Sequence, residues 1–255
     1  MTNNVLRDVN IGQRAPLMIK NYNSQSPDAL GLQECDDLAY QTVVEPLSDS
    51  GYAVAGASVE ADGALSHTPI LYNGNRFELL EEKSDYFTHR YTNSKTYSFA
   101  VLKERQSDKI FAVINVHFAN IIGSYPKEIG TDEQIGNVWR KGNADQCIGI
   151  AKYISQKYGD IPVFLMGDFN CDSRQAPLRI LSAYFDDTLK VATEYRSTPT
   201  ATYHPVGSPA NKDGLPCDCI FSVKDRAEII SCEIIDDKDM IDSTDHLAVI
   251  ASVAF

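Results

Sequence analysis

Ile161-Pro162-Val163-Phe164-Leu165-Met166-Gly167-Asp168-Phe169-Asn170 is an apolar run that stops abruptly on Gly-Asp-Phe-Asn. An apolar run of this length with no alternation reads as a strand buried on both faces, delivering polar residues at its tip. Just upstream, Thr131-x-x-Gln134 has the pattern of a helix capping box. From there Ile135, Val138, Trp139, Cys147, Ile150, Ala151 and Ile154 recur at helical spacing up to Tyr158. The spacing predicts a long amphipathic helix leading into the buried strand.

Further upstream, short apolar stretches of strand length at Tyr52–Ala57, Pro69–Tyr72, Phe77–Leu80, Tyr97–Lys103 and Ile110–His117 alternate with polar turns and predict a meander. Downstream, Cys219–Val223, Ile229–Ile235 and Leu247–Val253 supply closing strands. Near the start, Ile11, Ala15, Met18, Ile19 and Tyr22 keep helical spacing, and Ser26-Pro27-Asp28 closes that helix before a strand at Ala29–Gln33. Glu34 thus falls at a strand's C-terminal end, and Asp36 or Asp37 can cap a helix running towards Leu47. Met1–Leu6 reads as a strand with no polar lead-in, as expected of a domain trimmed at or just before its first strand. No Pro/Gly/Ser linker, low-complexity stretch or fixed repeat divides the chain, so residues 1–255 are expected to form a single domain.

With 255 residues and 43% hydrophobic content the chain can bury a substantial core. Its formal net charge of -12 repels polyanions at long range and disfavours a dedicated nucleic-acid binder, although a bound divalent cation can make a local positive site. The six cysteines include one C-x-C at Cys217 and Cys219 and no C-x-x-C, a pattern that reads as free thiols rather than zinc ligands. No stretch reaches the roughly 18 apolar residues needed to span a membrane, and no basic-then-apolar signal opens the chain. A soluble protein is expected, cytoplasmic, or exported if an upstream signal was removed.

Five segments place acids, amides and histidines at strand ends: Met1-Thr2-Asn3-Asn4, Leu32-Gln33-Glu34, Asn115-Val116-His117, Gly167-Asp168-Phe169-Asn170 and Ser243-Thr244-Asp245-His246. Any one alone is an ordinary turn; their order carries the information. In that order the chain resembles the endonuclease/exonuclease/phosphatase (DNase I-like) family over nearly its whole length, G-D-F-N and S-x-D-H being the most specific marks. The resemblance matches Asn4 to the family's early strand Asn and Gln33-Glu34 to its strand-end Gln-Glu. It matches His117 to a strand-end His, and Asp218 to the Asp that opens the strand before the last motif. It implies an α/β (α+β) fold: a four-layer α/β/β/α sandwich of two mixed β-sheets with the site at the converging strand ends. The implied activity is Mg²⁺-dependent hydrolysis of a phosphate ester, with Mn²⁺ as a possible substitute.

Chemistry gives these residues matching roles. Glu34 and Asp245 are hard oxygen donors suited to Mg²⁺, which takes one or two carboxylates and keeps waters to share with a phosphate; the resemblance adds Asn4 to that metal group. Asp168 is the carboxylate placed to take a proton from the attacking water, and Asn170 to fix it. In a strand-like stretch residues i and i+2 share a side, so the spacing of Asp168 and Asn170 points both at one substrate. His117 and His246 are then donors to phosphate oxygens, and the resemblance gives Asp218 the task of holding His246 in one tautomer. His67, His89 and His204 read as ordinary core or surface imidazoles.

Two departures narrow the subclass. Leu6 stands where the abasic-site endonuclease branch has an acidic metal ligand, and Ser66 where many relatives have a Glu beside the catalytic His. The acidic surface favours a small-molecule, lipid-headgroup or sugar phosphate over DNA. A DNase-like nuclease and a binding module that has lost turnover are the competing readings. Loops 123–130 and 198–214, rich in Pro, Gly, Ser and Asn, are expected to set selectivity.

Overall fold

The computed structural model describes residues 1–7, 10–90, 92–120 and 132–255. Thr131 of the expected capping box and the whole of loop 123–130 lie outside these residues. Among the described residues the strands form two mixed sheets.

The first sheet contains β1 (Thr2–Asn4), β2 (Ala29–Gln33), β3 (Tyr52–Ala55), β4 (Ile70–Asn73), β10 (Tyr195–Arg196), β12 (Glu228–Ile235) and β13 (Ala248–Ala254). Their spatial order is β10-β12-β13-β1-β2-β4-β3. The second contains β5 (Phe77–Tyr86), β6 (Thr96–Glu104), β7 (Ile110–His117), β8 (Val163–Asp168), β9 (Phe185–Asp187) and β11 (Asp218–Val223), in the order β5-β6-β7-β8-β11-β9. Two pairs decide where the site lies, because β1 runs parallel to β2 and β7 parallel to β8.

Helix α1 (Ile11–Gln25), the short helices α2 (Asp37–Ala39) and α3 (Glu45–Asp49) and helix α7 (Lys238–Ser243) pack outside the first sheet. Helix α4 (Asp132–Tyr158) and α5 (Ala176–Leu181) cover the second sheet, and α6 (Thr188–Val191) lies beside β11 and β12. Side-chain alternation creates the layers. In β7, Phe111 and Val113 join the core between the sheets, whereas Ala112, Ile114 and Val116 pack with Ala144, Cys147, Ala151 and Ile154 of α4. The expected four-layer sandwich is therefore present. No helix among the described residues is long and apolar enough to cross a membrane.

Local differences from the sequence reading have physical reasons. Strand β5 continues six residues beyond the expected Leu80, through a polar stretch; as an edge strand it needs only one covered face and tolerates charge on the other. The helix expected from Asp36 towards Leu47 is interrupted by a π-helical turn at Tyr40–Val44, although Asp36 does cap its start by accepting from the Ala39 amide at 2.9 Å. Elements α5, α6, α7, β9 and β10 are two to six residues long and carry no readable period.

The glycine of Gly-Asp-Phe-Asn is imposed by β7. Gly167 has φ 147° and a Cβ added to it would lie 2.0 Å from the Val116 carbonyl oxygen, a backbone atom that cannot rotate away. Gly167→Ala should therefore force β7 and β8 apart and destabilise the fold by at least about 2 kcal/mol. An unchanged urea midpoint would contradict this close approach.

Candidate active site

The same alternation that builds the core selects the site residues. Phe164 and Met166 of β8 face the opposing sheet, so Asp168, next in phase, ends on that face; Asp218 is in phase with inward-facing Ile220 of β11. His117 continues the inward set of β7, and Gln33 meets that strand from the other sheet, donating from Nε2 to Asn115 Oδ1 at 2.6 Å. Strand β11 is antiparallel to β8, and β13 to β1. The ends of β1, β2, β7 and β8 and the starts of β11 and β13 accordingly meet at one end of the inter-sheet space. Asn4, Glu34, His117, Asp168, Asn170, Asp218, Asp245 and His246 all arrive there.

Asp168 is 1% exposed and stands at the centre. Its Oδ2 accepts from Asn4 Nδ2 at 3.1 Å and lies 3.5 Å from His117 Nε2 and 4.0 Å from His246 Nε2. Oδ1 accepts from the Asn170 amide at 2.8 Å. Burial, then repulsion from Asp218, pushes the Asp168 carboxyl up to about 6, within reach of a general base working near neutrality. Asn170 reaches the site by a route that strand alternation does not describe. Strand β8 ends at Asp168, Asn170 takes the left-handed conformation at φ 49°, and its Nδ2 donates to the Phe118 carbonyl at 3.0 Å. Leu6 (φ 53°) and Glu34 (φ 58°) share that conformation, so three strained non-glycine residues cluster at this end of the sandwich.

His246 is held from the opposite side. Its Nδ1 lies 2.8 Å from Asp218 Oδ2, which also accepts from Thr202 Oγ1 at 2.6 Å. Thr202 Oγ1 in turn accepts from the amides of Cys217 and Asp218, both at 3.1 Å. Burial by itself lowers the His246 pKa, but Asp218 and Asp168 outweigh it and hold the ring well above the usual range as imidazolium. The structure thus brings Asp218, which the resemblance assigned to His246, against that ring; Thr202, its second partner, carries no motif that could have announced it. The ring of Tyr203, 60% exposed, meets His246 edge-on at 5.3 Å. Loop 198–214 is stitched to the site at this point by the His204 amide donating to the Asp245 carbonyl at 2.8 Å.

Lys95 is the functional candidate that the sequence does not single out. It precedes β6, is 3% exposed, and its Nζ sits 2.5 Å from His117 Nε2. Burial lowers its pKa to about 8, with Asp168 and Glu34 opposing the shift, so it is largely an ammonium at neutral pH. An ammonium only donates, so His117 Nε2 accepts. Burial, then Lys95, drives His117 well below its usual value, leaving a neutral ring whose Nδ1 has no hydrogen-bond partner among the described residues. On this side of the cleft the positive charge sits on Lys95, not on His117. Ser66 plays no part here, since its hydroxyl bonds Ser84 at 2.7 Å and Ser98 at 3.2 Å in a buried hydroxyl cluster. His67, expected to be an ordinary imidazole, is half-buried, its Nδ1 has no hydrogen-bond partner among the described residues, and Glu34 and His117 lie within electrostatic range.

Glu34 and Asp245 form the second acidic group. Glu34 Oε2 accepts a long 3.4 Å bond from the Arg7 amide, and Oε1 lies 3.9 Å from His117 Nε2. Asp245 Oδ1 is buried with no hydrogen-bond partner among the described residues. Burial raises the Asp245 carboxyl, and Glu34 adds like-charge repulsion against the relief from His246. A buried, unpartnered carboxylate oxygen facing a second carboxylate is the arrangement a hard divalent cation would neutralise, so these residues fit Mg²⁺. Asn4 fits that role less directly, because its Oδ1 already accepts from the Leu6 amide at 3.0 Å while its amide nitrogen orients Asp168. Arg14 of α1 braces the two acidic loops by donating to the carbonyls of Val5 at 3.0 Å, Leu6 and Ser243.

No protein-family model matches the chain. Over 159 residues, 62% of this chain, it is 27% identical to carbon catabolite repressor protein 4 homolog 3 of Arabidopsis thaliana. The chain spans about a third of the length of that curated relative, the match covering 33% of it. Among solved structures it superposes on an endonuclease/exonuclease/phosphatase from Bacteroides vulgatus with a TM-score of 0.79 and 19% identity, covering 99% of this chain and 97% of that one. A mannosyl-6-phosphatase from Bacteroides thetaiotaomicron superposes with a TM-score of 0.72 and 17% identity, covering 96% and 91%. The fold of this chain is that of the endonuclease/exonuclease/phosphatase proteins.

Proposed function

We propose, on that shared fold, that the chain is a divalent-cation-dependent phosphoric ester hydrolase acting on a small-molecule, lipid-headgroup or sugar phosphate. The observation that carries this reading is the meeting of Asp168 with Lys95, His117, Asn170 and His246 beside the acids Glu34 and Asp245, the latter with its buried Oδ1 lacking a hydrogen-bond partner among the described residues. That group contains a base, positive donors and a cation-ready pair, the three requirements of in-line displacement at phosphorus.

Glu34 and Asp245 would hold Mg²⁺ or Mn²⁺, which supplies charge neutralisation at a phosphate oxygen when bound. Asp168 accepts the proton of the water that attacks phosphorus, and Asn170 keeps the carboxylate turned towards it. The His246 imidazolium, fixed by Asp218, donates to phosphate oxygens as the bond to the leaving oxygen breaks. Lys95, levelled by His117, donates to a non-bridging oxygen. The proton on the leaving group comes from a cationic donor of this set, and Lys95 and His246 are the residues charged for it.

Two considerations favour a compact substrate. A net charge of -12 supplies too few Lys and Arg contacts for a polynucleotide backbone, and one of the structures sharing the fold is a sugar-phosphate phosphatase by its name. Loop 198–214 reaches the site through Tyr203, whose exposed ring offers a face to a sugar or headgroup. Tyr203→Ala should raise KM roughly threefold to tenfold with kcat little changed, as loss of one ring contact would. Unchanged KM on every substrate would remove Tyr203 from recognition. The reading as a whole is tested by comparing kcat/KM on sugar phosphates, phosphoinositides, sphingomyelin and plasmid or single-stranded DNA at matched salt. DNA cleavage more efficient than turnover of every small ester would overturn the substrate class and favour a nuclease.

A further inference from the structure

One side chain at the site, that of Cys217, has no role in the hydrolysis proposed above. Asp168, Cys217, Asp218 and His246 each offer a ligand atom, and the four atoms lie within 4.8 Å of one another. Three of these residues already serve in the reading above, on which the consequence drawn here rests; Cys217 does not. Its thiol donates to Asp218 Oδ2 at 3.4 Å and also bonds His246. Cys217 is half-buried, the partly open member of a group whose other members are buried.

We propose that these four residues form an inhibitory Zn²⁺ site. Three observations support it. First, the donor set is one sulfur, one imidazole nitrogen and two carboxylate oxygens, and thiolate with imidazole selects Zn²⁺ over the hard Mg²⁺. Second, a tetrahedral Zn²⁺ with ordinary bond lengths needs donor separations of about 3.4 to 3.6 Å, which rotation of short side chains can reach from a 4.8 Å spread. Third, Asp218 Oδ1 is fully buried with no hydrogen-bond partner among the described residues, an anionic oxygen free for a cation. Glu34 and Asp245 lie outside this group and offer only oxygen, so the two acidic clusters differ in the ions they prefer.

Binding replaces the Cys217 thiol proton and one ring proton of the His246 imidazolium, both released to solvent, by bonds to zinc, with no change of oxidation state. The same ion takes the Asp168 carboxylate and the His246 ring, so the base and one of the two cationic donors leave the reaction together. Occupation therefore stops turnover while leaving Glu34 free to hold Mg²⁺.

Co²⁺ reports the site without any assay of activity. Titrated into the reduced, metal-depleted protein, it should give a sulfur-to-cobalt charge-transfer band in the near ultraviolet and the visible bands of tetrahedral cobalt, both removed by added Zn²⁺. Cys217→Ser should abolish the charge-transfer band, while Cys171→Ser, the control at the neighbouring thiol, should keep it; unchanged melting temperatures show that both variants fold. No band in the wild-type protein, or a band that survives in Cys217→Ser, overturns the site. In excess Mg²⁺, Zn²⁺ should inhibit hydrolysis, and Cys217→Ser should raise the half-inhibitory Zn²⁺ concentration at least about tenfold. A cobalt band with turnover indifferent to Zn²⁺ overturns the inhibition. A cobalt band in a protein that hydrolyses no phosphate ester supports the site and contradicts the hydrolase reading instead.

Discussion

Asp168→Asn should lower kcat by at least about 100-fold, the contribution of a positioned general base, and leave the protein as stable as before or more so at neutral pH. The two halves of this expectation separate a catalytic carboxylate from a structural one. In the folded protein the Asp168 carboxyl titrates at about 6, against the ordinary 3.8. The folded state thus prefers the protonated form, and this contribution to stability is present at low pH and lost as pH rises through about 6. At pH 7 the wild-type protein carries a buried charge that asparagine does not, while the amide preserves the shape met by Asn4 and Asn170. His246→Ala should reduce kcat to a similar degree by removing the cation that Asp218 holds in place. Steady-state kinetics with thermal melts on the same samples decide the matter. A variant that unfolds but retains normal specific activity in its folded fraction would return that residue to a purely structural role.

Glu34→Gln should weaken Mg²⁺ or Mn²⁺ binding and turnover together, each by roughly 100-fold, because one of two carboxylates facing a divalent cation loses its charge with little change of shape. The left-handed conformation of Glu34 at φ 58° aims the side chain into the cleft, and glutamine can adopt it at similar cost. Calorimetric titration with Mn²⁺ measures affinity apart from turnover. If affinity and turnover both remained at wild-type values, Glu34 would not belong to the site.

Much of this site was legible in the order of its motifs, and the fold explains why. A strand buried on both faces must release its polar residues where it leaves the core. The ends of β1, β2, β7 and β8 and the starts of β11 and β13 fall at one end of the sandwich, so motifs at those ends had to meet. Asn4, Glu34, His117, Asp168, Asp218 and His246 were visible for that reason. Lys95 was not, because Asn93-Ser94-Lys95-Thr96 reads as a polar turn entering a strand, indistinguishable from a surface loop. Its burial follows from β6 pairing antiparallel with β7, which returns the start of one strand to the His-bearing end of the other, with Tyr97 opposite Val116. Pairing register of this kind is set by tertiary packing and leaves no mark in local sequence.

The neighbour of His117 was hidden for a related reason. A histidine at a strand end is equally able to donate to a phosphate or to accept from a neighbour. Only the ammonium 2.5 Å away decides between them. Thr202 was hidden because its contact with Asp218 joins a loop to a strand start 16 residues further along the chain. Ser66, standing where many relatives have a Glu, turns its hydroxyl into a buried cluster with Ser84 and Ser98, and the carboxylates beside His117 Nε2 are Asp168 at 3.5 Å and Glu34 at 3.9 Å. Lys95 lies against the same ring at 2.5 Å, and under the proposed function it donates to a phosphate oxygen there.

Release of nitrophenol from mono- and bis-nitrophenyl phosphate tests whether these residues hydrolyse phosphate esters with a divalent cation. Metal-depleted wild-type protein should be inactive on both esters and regain turnover of at least one on addition of Mg²⁺, whereas Asp168→Asn should stay near background under the same conditions. Turnover that ignores metal depletion, or equal rates from wild type and Asp168→Asn, would contradict the account.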